Sequence, residues 1–197
     1  MNLPNKLTML RIFMIPFFVG FMLYSLTLAP AGAGSGATGA FLQMRILSLV
    51  IFCAASFTDF LDGQIARRNH LITDFGKFMD PLADKLLVCS ALILLTAEGT
   101  LPVLVTLVIV AREFIISGFR LVASDNGIVI AASWWGKWKT VTQMALCIVL
   151  ILAPSWRTMP NVRILALLLI ILAVALTVIS LIDYIAKNIR VITQGGM

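Results

Sequence analysis

Charge is what this sequence has least of. Only 12% of its 197 residues are Asp, Glu, Lys or Arg, against 60% hydrophobic, and the mean hydropathy is +1.03. A soluble domain carries about twice that share of charge, so an ordinary soluble protein is excluded. Metal-binding soft ligands are scarce too: one histidine, His70, and three cysteines, Cys53, Cys89 and Cys147, far apart in apolar stretches. They offer neither zinc-ligand spacing nor a disulfide framework. The cysteines read as small packing residues and His70 as a solvated loop residue. Acidic residues number nine against fifteen Lys and Arg, a net charge of +6. Those cations sit at the ends of apolar stretches, not in a soluble basic patch, which favours anionic headgroups or a phosphate-bearing substrate over nucleic acid. No internal repeat is evident.

What is there is apolar run after apolar run. Stretches able to span a bilayer lie at about 12–28, 43–61, 82–97, 101–119, 141–153 and 162–182. The fifth reaches full length only if Gly136 to Gln143 continue it. The expectation is an all-α, polytopic membrane protein: one domain over 1–197, six transmembrane helices, and an amphipathic interfacial helix before them. That N-terminal helix is read from Asn5, Thr8 and Arg11 on one side and Leu3, Leu7 and Leu10 on the other. Pro4 suits its first turn and Pro16 marks entry to the first span. A signal peptide is the rival reading, with cleavage near Ala-Pro-Ala-Gly-Ala; the apolar run is longer than a typical signal core and the polar face would serve no purpose. With the N-terminus inside, only Arg45, Arg157 and Arg163 fall on the outer side. Both termini are then cytoplasmic. Residues 29–40 read as an outer loop, Glu98-Gly99-Thr100 as an outer turn with Glu98 solvated, and Asp183 as the partner of Lys187.

Five of the nine acidic residues fall between Asp59 and Asp84, and all but Asp74 belong to D-F-L-D-G-Q-I-A-R and G-K-F-M-D-P-L-A-D, two segments separated by eight residues. Asp59 and Asp62 are three apart and Asp80 and Asp84 four apart, so each pair shares a helix face. Gly63 and Ala66 leave the backbone open beside the first pair, and Arg67 adds a cation. Four carboxylates at a membrane edge need counter-ions, because each costs several kcal/mol to desolvate unpaired. All-oxygen ligation points to Mg²⁺ or Mn²⁺. Two ions roughly 3.5–4 Å apart would suit phosphoryl chemistry. The plain alternative is two solvated Asp pairs at helix ends.

This stretch resembles the signature of the CDP-alcohol phosphotransferases, D-x-x-D-G-x-x-A-R, eight residues, G-x-x-x-D-x-x-x-D. Asp59, Asp62, Gly63, Ala66, Arg67, Gly76, Asp80 and Asp84 match every fixed position. The flanks N-L-P-N-K-L-T-M-L-R, A-R-E-F-I-I-S-G-F-R and W-G-K-W-K-T-V-T-Q are similar to one branch, the bacterial enzymes that make phosphatidylglycerophosphate. The resemblance implies a homodimer of the inner membrane, with its site on the cytoplasmic side. By the same resemblance the four aspartates hold the metal, Asp84 also serves as base, and Asn5, Thr8, Gly63, Ala66, Arg67, Thr73 and Gly76 meet CDP-diacylglycerol. Thr73 is nearly as well read as a helix cap.

The second half supplies cations. Arg112 and Glu113 sit inside an apolar run, where ionisable groups are costly and functional by default; for Glu113 a structural Arg–Glu pair is the alternative. Arg120 is eight residues on, within about 80° of Arg112 around a helix. Lys137 and Lys139 follow among Trp134, Trp135 and Trp138, which read as interfacial anchors; one lysine then only snorkels to headgroups. A choline or ethanolamine acceptor would want an aromatic or acidic pocket. Cations favour sn-glycerol 3-phosphate, with inositol phosphate and serine as other acceptors. From other classes come a cation transporter, disfavoured because its acids would lie at one membrane face instead of mid-bilayer, and a lipid-binding scaffold, which has no need of four carboxylates.

Overall fold

The computed structural model describes residues 3–28, 35–69, 74–125 and 133–194. Their regular structure is helical throughout: α1 (Leu3–Thr27), α2 (Ser35–Asn69), α3 (Asp74–Ala97), α4 (Val103–Asp125), α5 (Trp134–Leu152), a 3-10 turn (Trp156–Thr158) and α6 (Pro160–Gln194). Among the described residues, three stretches, Lys6–Thr27, Gly39–Thr58 and Pro160–Asn188, are long and apolar enough to cross a membrane. Polarity is inverted relative to a soluble protein. Phe13, Val50, Leu104, Leu168 and Ile171 are exposed, while Thr8, Arg11, Arg45, Ser48, Thr177 and Ser180 are buried. Lipid imposes this arrangement, since polar groups must find partners inside the protein. Hydroxyls accordingly bond back to their own helix: Ser25 to the Met22 carbonyl at 2.7 Å, Ser48 to Met44 at 2.8 Å, Thr142 to Trp138 at 2.9 Å.

The chain divides into two compact units, Met1–Thr100 with Leu150–Pro154, and Leu101–Val149 with Ser155–Met197. In the first, α1 packs along both α2 and α3. Its core joins Phe18 and Met22 to Phe52, Leu87, Leu92 and Leu95, with Ala55, Ala83 and Ala91 fully buried; such small residues let helices approach closely without a hydrophobic driving force. The Phe18 and Phe52 rings meet at 5.6 Å. In the second, α6 packs on α4, and the Gln143 amide donates to the Thr177 hydroxyl at 3.1 Å, tying α5 to α6.

α3 ends in a glycine cap. Gly99 has φ +77°, a left-handed conformation that side chains disfavour. The Thr100 amide donates to the Leu95 carbonyl at 3.0 Å and the Gly99 amide to Thr96 at 2.9 Å, a Schellman motif. The cap presents Glu98 to Arg45, and here the sequence reading is corrected. Glu98 is not solvated: its side chain is 11% exposed and accepts from Arg45 Nη1 at 2.6 Å. Arg45, 2% exposed, also donates from Nε to the Ile151 carbonyl at 2.9 Å and from Nη2 to Leu150 at 3.0 Å. It thereby caps carbonyls at the end of α5 that no helical turn can satisfy.

Three further expectations shift. The N-terminal interfacial helix is no separate element: α1 runs unbroken with Pro16 inside it, and Thr8 and Arg11 face inward at 0% exposure. The expected outer loop 29–40 is helical from Ser35, residues 29–34 lying outside the described ones. Of the cysteines only Cys147 is buried; Cys53 is exposed. Two expectations hold. α5 does extend back through Gly136–Gln143, and Asp183 pairs with Lys187 at 2.6 Å.

Candidate functional site

The acidic signature lies on the two helices that the shortest interhelix connection joins. Asp59, Asp62, Gly63, Ala66 and Arg67 occupy the last turns of α2, and Gly76, Asp80 and Asp84 the first turns of α3. Four residues, 70–73, separate the helices, so the ends carrying the aspartates are tethered to each other and α2 touches α3. The spacing of each pair is realised as helix, putting Asp59 with Asp62 and Asp80 with Asp84 on common faces. The side chains of this signature and of Asn5 are outside the described ones, as are His70 and Thr73 altogether. A donor set of four carboxylates matches a hard divalent cation by its chemistry.

α1 closes on this region from the side. Thr8 and Arg11 are both fully buried. Arg11 Nε donates to the Ala55 carbonyl at 3.3 Å, and the Thr58 hydroxyl donates to the same oxygen at 2.7 Å. Ala55 is one helical turn before Asp59, whose own amide is directed at that carbonyl by α-helical geometry. A buried guanidinium thus sits one turn below the first aspartate. Its sequence signal was present in the three-residue spacing of Asn5, Thr8 and Arg11, which marked a polar face without telling whether it met water or protein.

The second unit gathers the cations differently from what the sequence suggested. Arg112 (8% exposed) and Lys139 (3%) are buried and share one carboxylate oxygen. Glu113 Oε1 accepts from Arg112 Nη1 at 3.3 Å and from the Lys139 ammonium. Glu113 therefore joins α4 to α5 through Lys139, while the Arg–Glu pair weighed for it lies within α4 and joins no second helix. The Ser133 hydroxyl caps α5 by accepting the Gly136 amide at 3.1 Å. Arg120 is exposed and its guanidinium lies 6.0 Å from the ring centre of Tyr184 on α6. Lys137 is exposed, its ammonium 5.4 Å from the centre of the Trp134 ring. The structure thus brings Arg112 and Lys139 together through Glu113, sets Arg120 against Tyr184, and leaves Lys137 at the aromatic surface. Tyr184 was not foreseen; a lone tyrosine at the end of an apolar helix reads as a membrane anchor.

Among the described residues of this unit, three buried side-chain polar atoms have no hydrogen-bond partner: Arg112 Nε, the Tyr184 hydroxyl and the acceptor Asp183 Oδ2. Tyr184 is 3% exposed. Buried polar groups left unmade cost about 1–3 kcal/mol each.

The model of the CDP-alcohol phosphatidyltransferase family matches residues 1–179. The chain is 44% identical over 145 residues to the CDP-diacylglycerol–glycerol-3-phosphate 3-phosphatidyltransferase of Bacillus subtilis, covering 73% of this chain and 72% of that one. It is 39% identical over 196 residues to a probable phosphatidylglycerophosphate synthase of Mycobacterium tuberculosis, covering 100% of this chain and 85% of the other. A third relative, a CDP-diacylglycerol–glycerol-3-phosphate 3-phosphatidyltransferase of Haemophilus influenzae, is 35% identical across 93% of this chain and 91% of its own. With the signature laid out over α2 and α3, this chain belongs to the CDP-alcohol phosphatidyltransferase family.

Proposed function

We propose that the protein transfers the phosphatidyl group of CDP-diacylglycerol to sn-glycerol 3-phosphate, giving phosphatidylglycerophosphate and CMP. The observation that carries this is the unbroken eight-position signature on adjoining helix ends, in a chain similar over most of its length to relatives bearing that activity in their names. The family match runs through both compact units, so we read them as parts of one catalytic domain. Each of the six helices has at least 19 residues, a length of about 28 Å or more, which supports six crossings of the inner membrane. Both termini and the site are then cytoplasmic, and the enzyme is read as a homodimer.

In this reading Asp59, Asp62, Asp80 and Asp84 hold one or two divalent ions, Mg²⁺ or Mn²⁺. When bound, such ions supply polarisation of the phosphorus and charge neutralisation for departing CMP. The protein's own residues do the rest. Asn5, Thr8, Gly63, Ala66, Arg67, Thr73 and Gly76 orient the CDP-lipid, Arg67 meeting phosphate with a planar fork. The glycerol 3-phosphate hydroxyl oxygen bonds to the lipid-bearing phosphorus as the bond to the CMP oxygen breaks, and the proton passes to Asp84. To serve as base, Asp84 must be the least engaged of the four carboxylates.

Of the four cations, Arg112, Arg120 and Lys139 are read as holding the acceptor's phosphate, Lys137 being exposed against the Trp134 ring. Charge supports the assignment: Arg112, Arg120 and Lys139 against the single carboxylate of Glu113 leave two positive charges. A phosphate monoester carries about −1.5 to −2 at neutral pH, whereas serine carries no net charge. The test is CMP release by purified protein with CDP-diacylglycerol, glycerol 3-phosphate and Mg²⁺. Release that is independent of glycerol 3-phosphate refutes the acceptor; ion flux without CMP points to transport instead.

A further inference from the structure

We propose that a cleft beside the first turns of α6 binds the headgroup phosphate of an anionic phospholipid, in the outer leaflet by the topology proposed above. The cleft has a volume of about 290 Å³ and is lined by Trp156, Arg157, Arg163 and Leu167. Trp156 and Arg157 come from the 3-10 turn after α5, and Arg163 and Leu167 from α6, so all four belong to the second unit. Arg163 and Leu167 are four residues apart and share a helix face. The Arg163 amide donates to the Met159 carbonyl at 2.8 Å, which joins the turn to the helix. Trp156 is buried, and the Arg157 guanidinium lies 5.0 Å from the centre of its ring. That contact restrains a long side chain and pre-orients its planar fork.

Charge, depth and surroundings select the ligand. The sequence between Asp125 and Asp183 has no acidic residue, so the segment that builds the cleft brings two guanidinium groups to it and no carboxylate. Cations on the outer side run against the usual distribution of Lys and Arg. Of the three outer arginines, Arg45 is spent on Glu98 and the end of α5; the other two meet at this one place. Twenty residues separate Arg163 from Asp183 on α6, roughly 30 Å of helix, the thickness of the hydrocarbon core. The cleft is therefore at headgroup level on the membrane face away from Asp183 and from the Arg120–Tyr184 contact. Beside it Ile164, Leu168 and Ile171 form an exposed apolar stripe at helical spacing, a surface for acyl chains. The volume is below the roughly 300–1,000 Å³ of pockets that enclose a drug-sized molecule, so it takes a headgroup while the chains stay in lipid. Choline and ethanolamine lipids carry an ammonium beside the phosphate, which two guanidinium groups repel. An anionic headgroup brings no such charge.

The test is thermal unfolding of the full-length protein in detergent with short-chain phosphatidylglycerol, short-chain phosphatidylcholine, or glycerophosphoglycerol, which is the headgroup without chains. Phosphatidylglycerol at about ten times its half-saturating concentration is expected to raise the melting temperature by about 3–6 °C; the other two should have little effect. Arg157→Gln combined with Arg163→Gln, both exposed positions, should lose that rise while still unfolding in one cooperative transition. Arg157→Lys with Arg163→Lys, which keeps the charge, should retain part of it. If the glutamine pair does not fold, Arg163→Gln alone, which leaves the Trp156 contact intact, should lose most of the rise. No rise in the native protein, or an equal rise in the folded glutamine variant, overturns the proposal. An equal response to phosphatidylcholine refutes the charge selectivity, and an equal response to glycerophosphoglycerol makes the cleft a site for soluble anions instead of lipid.

Discussion

Two buried arginines in this protein are treated in opposite ways. Arg45, in the first unit, has every side of its guanidinium engaged: Glu98 at 2.6 Å, the Ile151 carbonyl at 2.9 Å, the Leu150 carbonyl at 3.0 Å, and the Phe41 ring at 5.6 Å. Thr100 completes the set by donating to the second Glu98 oxygen at 2.8 Å. Arg112, in the second unit, holds its one carboxylate at 3.3 Å, shares it with Lys139, and keeps Nε unmatched. A closed network spends its interactions on holding helix ends together. An open one retains binding capacity at a cost to stability. Buried charge alone does not mark a site; incomplete satisfaction of that charge does.

Mutation can break this contrast at several points. The largest effect on activity should come from neither arginine but from the acids: Asp80→Asn is expected to abolish CMP release, and chelation with EDTA should do the same to the native enzyme. Full turnover in Asp80→Asn would remove that residue from the metal set. Next comes Arg45→Met, which strands Glu98 in the interior and should cost about 3–5 kcal/mol of stability, seen as a lowered melting temperature in detergent with specific activity kept in the surviving folded fraction. Arg112→Gln should do the converse, leaving melting nearly unchanged while raising the glycerol 3-phosphate KM by roughly 10- to 100-fold, about 1.5–3 kcal/mol. If the two variants behaved alike, the distinction between closed and open networks would be wrong. The smallest change is expected for Lys137→Ala: an exposed cation on an aromatic ring is worth about 0.5–1 kcal/mol, so acceptor KM should move less than fivefold.

Particular residues show how much was legible beforehand. The Asp59–Asp84 signature, the backward extension of α5 through Gly136, and the Asp183–Lys187 pair were all readable, because each depends on neighbours within one or two helical turns. Glu98 was misread because its partner lies 53 positions away, and no local pattern announces such a meeting. The N-terminal polar face was seen, but its direction was not: in a membrane protein a polar stripe can face headgroups or the protein interior, and Thr8 and Arg11 took the second course. Tyr184 was missed for the same reason, since its side of α6 is decided by packing on α4. For the lysine pair, sequence allowed one of the two to be a surface cation; burial assigns that part to Lys137 and the Glu113 bond to Lys139.

The most direct measurement is identification of the lipid product by mass spectrometry when purified enzyme receives CDP-diacylglycerol, Mg²⁺ and an equimolar mixture of glycerol 3-phosphate, inositol phosphate and serine. The account predicts phosphatidylglycerophosphate as the dominant lipid, formed in step with CMP and absent with Asp80→Asn. Dominant phosphatidylserine or phosphatidylinositol phosphate, or CMP formed with no new phospholipid, would contradict it.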